Sequence, residues 1–133
     1  MQAQGGNFGM SNISVEDTYG TTDINGNSIR TPQVIQTSRA EEKKNFEKLQ
    51  EGLKEVLATD IYKYNLKTDE DTDKKHIGFV IGKDYRYSQA ITSKDNDGVD
   101  VYSMVAVAYK AIQEQQQQIE ELKNKINKMK GES

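Results

Sequence analysis

From Val101 to Lys130 the chain carries an unbroken seven-residue hydrophobic repeat, and nothing else in the sequence limits its fold so strongly. Val105, Ala108, Ile112, Gln115, Ile119, Leu122, Ile126 and Met129 alternate at steps of three and four, an a/d seam running through about four heptads. A straight helix drifts away from such a repeat, so the stripe is buried best when helices supercoil around one another. At the rise of an α-helix this one is roughly 40 Å long, and no other helix expected here is long enough to cover it. The seam therefore predicts self-association. Strand number stays open at this level. β-Branched residues at a with Leu at d favour two strands, whereas Gln115 at a d position, followed by Gln116 to Gln118, breaks that preference and tends to fix register at a cost in stability.

Composition points the same way. A chain of 133 residues is one small domain with appendages, and 34% hydrophobic residues make a thin core. Assembly would supply the missing buried surface. The net charge of −3 gives no general attraction to nucleic acid or to an anionic membrane. Cysteine is absent, which excludes disulfides and thiolate metal sites. No apolar run approaches the length of a membrane span, and residues 1–9 lack the apolar core of a signal peptide. The expectation is a soluble chain folded in a cytosol, without a nucleic-acid or membrane partner, a metal or a cofactor.

The order of elements follows from local signals. Residues 1–16 read as loose, and 17–36 as weakly extended, with turns at Tyr19-Gly20 and Asn25-Gly26-Asn27. Pro32 keeps Thr31 out of the helical region. Ser38-Arg-Ala-Glu41 is a capping-box pattern, and Phe46, Leu49, Leu53, Val56 and Leu57 recur at helical spacing, which predicts an amphipathic helix over 39–58. Asp60–Leu66 alternates polar and apolar residues, and His76–Ile81 is a short apolar run; both predict strands, with Thr68–Lys75 as the hairpin loop. Tyr85–Thr92 fits a strand or a short helix. Asp95-Asn-Asp-Gly98 predicts a turn, and the long helix begins near Val101 to Ser103. The sum is an α+β unit: extended N-terminal segment, amphipathic helix, small antiparallel sheet, long C-terminal helix.

The residue pair with chemical potential is Ser38 and Lys43. Serine is a poor nucleophile until something removes its proton. The chain has a single histidine, so lysine is the more plausible base if burial or a cationic neighbour lowers its pKa. On a straight helix, positions five apart diverge by about 140°. The pair meets only if Ser38 lies in extended chain before the helix, or if the partner comes from another chain. On spacing alone, Ser38 is a helix cap and Lys43 a solvated side chain. Elsewhere, Asp95 to Gly98 lacks the closing glutamate of a calcium loop, Met104 standing in its place. The carboxylates of Asp69, Glu70, Asp71 and Asp73 read as a solvated loop, and His76 as a packing or capping residue.

The segment Ser38-Arg-Ala-Glu-Glu-Lys43-Lys-Asn-Phe46 resembles the start of the intramolecular chaperone auto-processing domain, which ends many phage tail spikes and neck appendages. Similar stretches follow in order: Tyr62-Lys-Tyr64, Ile77-Gly-Phe-Val80, Gly98-Val-Asp-Val-Tyr-Ser-Met104 leading into Val105 to Ile112, and Ile119-Glu-Glu-Leu122. The resemblance implies residues 1–37 as the end of an upstream fibre or linker segment. It implies 38–133 as the chaperone domain, with a coiled coil over about 101–130 that trimerises.

It further implies a homotrimer that assists folding of the upstream fibre part of the same polypeptide, in the host cytoplasm during assembly, with the parent protein on the virion tail. The domain then cuts itself free. Ser38 corresponds to the family's nucleophile and Lys43 to its base, with Lys44 beside it as the alternative. The cleavage site lies at Thr37, Ser38 and Arg39. Attack by the serine hydroxyl on the carbonyl of Thr37 closes a five-membered ring; within a trimer, attack on a neighbouring chain is the other route. Arg39 departs from the family, which usually carries aspartate after the serine. A trimerisation module without chemistry, or a coiled-coil adaptor for another protein, are the competing readings.

Overall fold

The computed structural model describes residues 29–131, which divide into two units between Ile35 and Gln36. The loose start and the Tyr19 and Asn25 turns expected from the sequence lie outside the described residues. In the first unit, residues 29–35 have no regular secondary structure and bend at Pro32, and Thr31 Oγ1 donates to the carbonyl of Gln33 at 3.1 Å.

The second unit is α+β. A single 3-10 turn, Ala40–Glu42, comes first, then α1 (Leu53–Leu57), β1 (Tyr62–Tyr64), β2 (His76–Gly78), a second 3-10 turn, Gln89–Ile91, and α2 (Val101–Gly131). The strands form a two-stranded antiparallel sheet in which Tyr62 faces Gly78, Lys63 faces Ile77 and Tyr64 faces His76. They are shorter than the sequence pattern suggested, with three residues of each strand paired. The acidic loop between them is tied down by its own carboxylates. Asp69 Oδ2 accepts from the Leu66 amide at 2.8 Å and lies 3.0 Å from His76 Nε2, and Asp73 Oδ2 accepts from the Glu70 amide at 2.9 Å. His76 also stacks on Tyr64. The segment with mixed signals, Tyr85–Thr92, resolves into the second 3-10 turn, with the Ser88 hydroxyl capping it through Ala90 N–H.

The long helix is as the heptads predict, 31 residues and about 46 Å in length. Asp100 caps it, its carboxylate accepting from the Ser103 amide at 3.0 Å. The expected turn precedes it: Asn96 takes a left-handed φ of 58°, and the Ser93 amide donates to the Gly98 carbonyl at 2.8 Å.

The predicted amphipathic helix over 39–58 does not form. Only Leu53–Leu57 is α-helical. Asn45 has a φ of 57°, a left-handed conformation that ends any right-handed helix. Phe46 and Leu49, whose spacing suggested a buried face, are 69% and 48% exposed. An amphipathic face stabilises a helix only when something covers it, and the single chain offers no cover there. The capping box is also unused: Arg39 takes the N-cap place and makes no side-chain cap hydrogen bond.

The core sits where α1 and the Gln89–Ile91 turn meet the N-terminal half of α2, and its buried apolar residues are Ile91, Val107 and Ala111. Two features hold it. Gly52 approaches α2 so closely that a Cβ there would lie 2.6 Å from the Val107 carbonyl oxygen and 2.7 Å from the Ala111 nitrogen. Glu114 of α2 then caps α1 from outside, its Oε2 accepting from the amides of Gly52 at 2.7 Å and Leu53 at 2.6 Å. Those two hydrogen bonds, Leu53's first, hold the Glu114 carboxyl below its ordinary pKa, with Lys110 adding a smaller charge effect in the same direction. At the far end of α1, Arg86 Nη2 donates to the Leu57 carbonyl at 2.6 Å, and Nη1 meets Asp60 at 2.9 Å. Beneath them, buried Ser88 donates to Glu55 Oε2 at 2.6 Å, and its amide donates to Thr59 Oγ1 at 2.9 Å, so the one buried polar side chain among the described residues is satisfied.

Gly52→Ala forces the α1–α2 contact apart and should lower unfolding stability by about 1–3 kcal/mol, measured by denaturant titration. Glu114→Gln tests the cap. A carboxylate with a depressed folded pKa stabilises above the unfolded value and stops doing so as pH falls through the folded one. The melting midpoints of wild type and Glu114→Gln should therefore differ most near neutral pH and converge as pH drops below about 4.5.

Candidate functional site

Ser38 lies in chain without regular secondary structure, one residue ahead of the Arg39 that precedes the Ala40–Glu42 turn, and Lys43 directly follows the turn. Arg39 (φ −78°, ψ 139°) and Lys43 (φ −129°, ψ 159°) flank the turn in β conformation. The Lys43 amide donates to the Ala40 carbonyl at 3.0 Å, and the Glu42 amide to the Arg39 carbonyl at 3.2 Å. A tight turn between two extended residues brings together side chains that a continuous helix would send apart. Lys43 Nζ lies 2.5 Å from Ser38 Oγ. The loss of the predicted helix and the meeting of this pair are thus one structural event. Among the described residues Lys44 makes no such contact.

A third group reaches the same oxygen. The hydroxyl of Tyr102, 64 residues further along, donates to Ser38 Oγ at 2.9 Å. Tyr102 sits in the first turn of α2, where the Asp100 cap fixes the start of the helix. Sequence reasoning passed over it, because the stretch around it reads simply as a helix start. It stands within Gly98–Met104, a stretch of the family resemblance that leads into the helix and gave the tyrosine no role of its own.

Arg39, at the position where the resembled family usually has aspartate, pairs with Glu41 at 3.5 Å. Both side chains are well exposed, so the pair contributes little stability. Ser38, Lys43 and Tyr102 are all solvent-exposed in the single chain. Thr37, the residue before the nucleophile candidate, is exposed in chain without regular secondary structure. Among the described residues, no group of three or more His, Asp or Glu side chains is placed to hold a metal ion, and no helix is long and apolar enough to cross a membrane.

Two surfaces lie outside this cluster. The a/d residues of α2 line one side of the helix uncovered, from Val105 at 41% exposure to Met129 at 71%. Near its N-terminal end the seam opens into an apolar groove of about 350 Å³ walled by Val56, Ile61, Phe79, Met104, Ala108 and Ile112 among others.

Residues 38–81 match a peptidase family described as Chaperone of endosialidase. The match begins at Ser38 and takes in Lys43, α1 and the β1–β2 hairpin, about a third of the chain. It agrees with the resemblance read from the sequence and supports a chaperone role in a peptidase-like domain. No curated protein and no solved structure matches the chain.

Proposed function

We infer that this chain is a C-terminal intramolecular chaperone that trimerises through α2, assists the folding of a phage tail spike or neck appendage, and then releases itself by one cut beside Ser38. The observation that carries the reading is the 2.5 Å approach of Lys43 Nζ to Ser38 Oγ within the matched segment.

The chemistry needs no cofactor. Lys43, as a free amine, takes the proton of Ser38 Oγ–H. The oxygen attacks the carbonyl carbon of Thr37, and the C–N bond of the Thr37–Ser38 peptide breaks. The departing nitrogen collects the proton from Lys43 and becomes an amine. Water then hydrolyses the Thr37 ester, leaving a carboxylate on Thr37 and restoring the serine hydroxyl. The sum is one peptide bond and one water converted to an acid and an amine. Attack within one chain closes a five-membered ring, and attack on a sister chain follows the same balance.

A lysine base is favoured where water is excluded. Ser38 and Lys43 are open to solvent in the single chain, so sister chains would provide the cover. The seam supplies a reason for them to come. Each half-exposed Ile or Leu of the stem contributes about 1 kcal/mol when a sister helix covers it. Holding three chains together makes the pairing of upstream fibre strands effectively intramolecular and shortens a slow, non-local search. Removing the clasp afterwards leaves the fibre kinetically trapped.

The exposure of the pair and the arginine at position 39 favour a second reading, a trimerisation module without chemistry. Intact mass measurement on the freshly made chain separates the two. Processing yields species ending and beginning beside Ser38, and Ser38→Ala or Lys43→Ala should each abolish them while sedimentation stays trimeric. Normal cutting in both variants would remove the dyad. An aspartate in the seam, Ile119→Asp, should return the chain to monomer by sedimentation and slow processing; a wild-type chain that sediments as a stable monomer would overturn the trimer.

A further inference from the structure

We propose that Tyr102 is a third catalytic residue of this site, one that stabilises negative charge on Ser38 Oγ and ties the cut to the stem helix. The proposal rests on the Ser38–Lys43 reading and adds a group which that reading does not contain. A serine hydroxyl has one proton to give and two lone pairs to fill. The structure sets two partners around this oxygen, Lys43 Nζ at 2.5 Å and Tyr102 OH at 2.9 Å. Among the described residues the tyrosine hydroxyl makes no other hydrogen bond, and Tyr102 is 46% exposed, so packing alone does not account for where it points.

As the proton of Oγ passes to Lys43, charge builds on the oxygen, and the tyrosine hydrogen bond changes from neutral to charge-assisted. Such bonds are roughly twice as strong as neutral ones. An interaction that strengthens as charge develops lowers the barrier instead of merely holding the ground state. The same donor serves again when Oγ leaves the Thr37 ester during hydrolysis. The proton balance is unchanged, because Tyr102 donates a hydrogen bond and keeps its proton.

Placement gives the arrangement a second consequence. Tyr102 belongs to the first turn of α2, the helix that carries the heptad seam, while Ser38 and Lys43 belong to an exposed turn far away in sequence. The nucleophile therefore has all of its partners only when the stem helix is formed and docked on the 36–131 unit. Cleavage before the stem has formed lacks one of the groups that make it fast.

The test uses the full 133-residue chain and follows release of residues 1–37 by intact mass, in wild type, Ser38→Ala, Tyr102→Phe and Tyr102→Ala. Tyr102→Phe keeps the ring and removes only the hydroxyl. The expected result is roughly ten- to hundredfold slower release in Tyr102→Phe, with sedimentation and melting midpoint as in wild type. Tyr102→Ala should be no faster. The rate deficit of Tyr102→Phe should also persist across the pH range, whereas a change in how Lys43 titrates would shift the profile along the pH axis. Release by Tyr102→Phe at the wild-type rate, with Ser38→Ala silent, overturns the role of Tyr102 and leaves the dyad standing. Wild-type release by Ser38→Ala, or no release by wild type, overturns the dyad and this proposal with it.

Discussion

The contact on which the second unit depends is the seating of the Gly52–Leu53 backbone against α2. No side chain larger than hydrogen fits at Gly52, since the carbonyl of Val107 and the nitrogen of Ala111 occupy the space a Cβ would take. The two amides at that point would be orphan donors of a five-residue helix, and the Glu114 carboxylate accepts both. A helix of that length has no stability of its own. It persists because one residue of α2 supplies its cap and the backbone of α2 supplies its floor. Beside this anchor the Gln89–Ile91 turn packs on α2, and Ser88 ties it back to Glu55 and Thr59 at the end of α1.

That economy explains why so much apolar surface stays in solvent. The described core is three apolar side chains and one satisfied serine. Phe46 and Leu49 on the irregular arm, the groove beside Val56 and Ile61, and the a/d seam of α2 are all uncovered. In a monomer these would be liabilities. In the proposed trimer they would be parts of one core shared between chains. The match to a chaperone family is in line with that proposal, since exposed apolar surface of this kind would suit a domain that brings chains together.

Ser38 shows how a site was half legible. The family motif marked Ser38 and Lys43, and the chemistry of a hydroxyl beside an amine was readable from residue types alone. The meeting of the two was not. Helical periodicity through Phe46, Leu49 and Leu53 argued for a helix that would have driven them apart, and the left-handed Asn45 and the docked Gly52 decided otherwise. Tyr102 was beyond reach, because a hydrogen bond across 64 residues leaves no trace in local spacing.

Where a pattern repeats within a few residues, the sequence by itself was enough. It set α2, whose heptads fixed its length and its exposed seam. It also set the paired strands around Tyr62–Tyr64 and His76–Gly78, and the turn at Asp95–Gly98. These rest on backbone preferences and side-chain periodicity that each segment carries with it. The tertiary structure alone decided that residues 43–52 abandon the helix, that Glu114 caps α1, and that a tyrosine of the stem lies against the serine of the turn. Those outcomes turn on whether an apolar face finds cover and whether a donor finds an acceptor, and both are settled by neighbours distant in the chain.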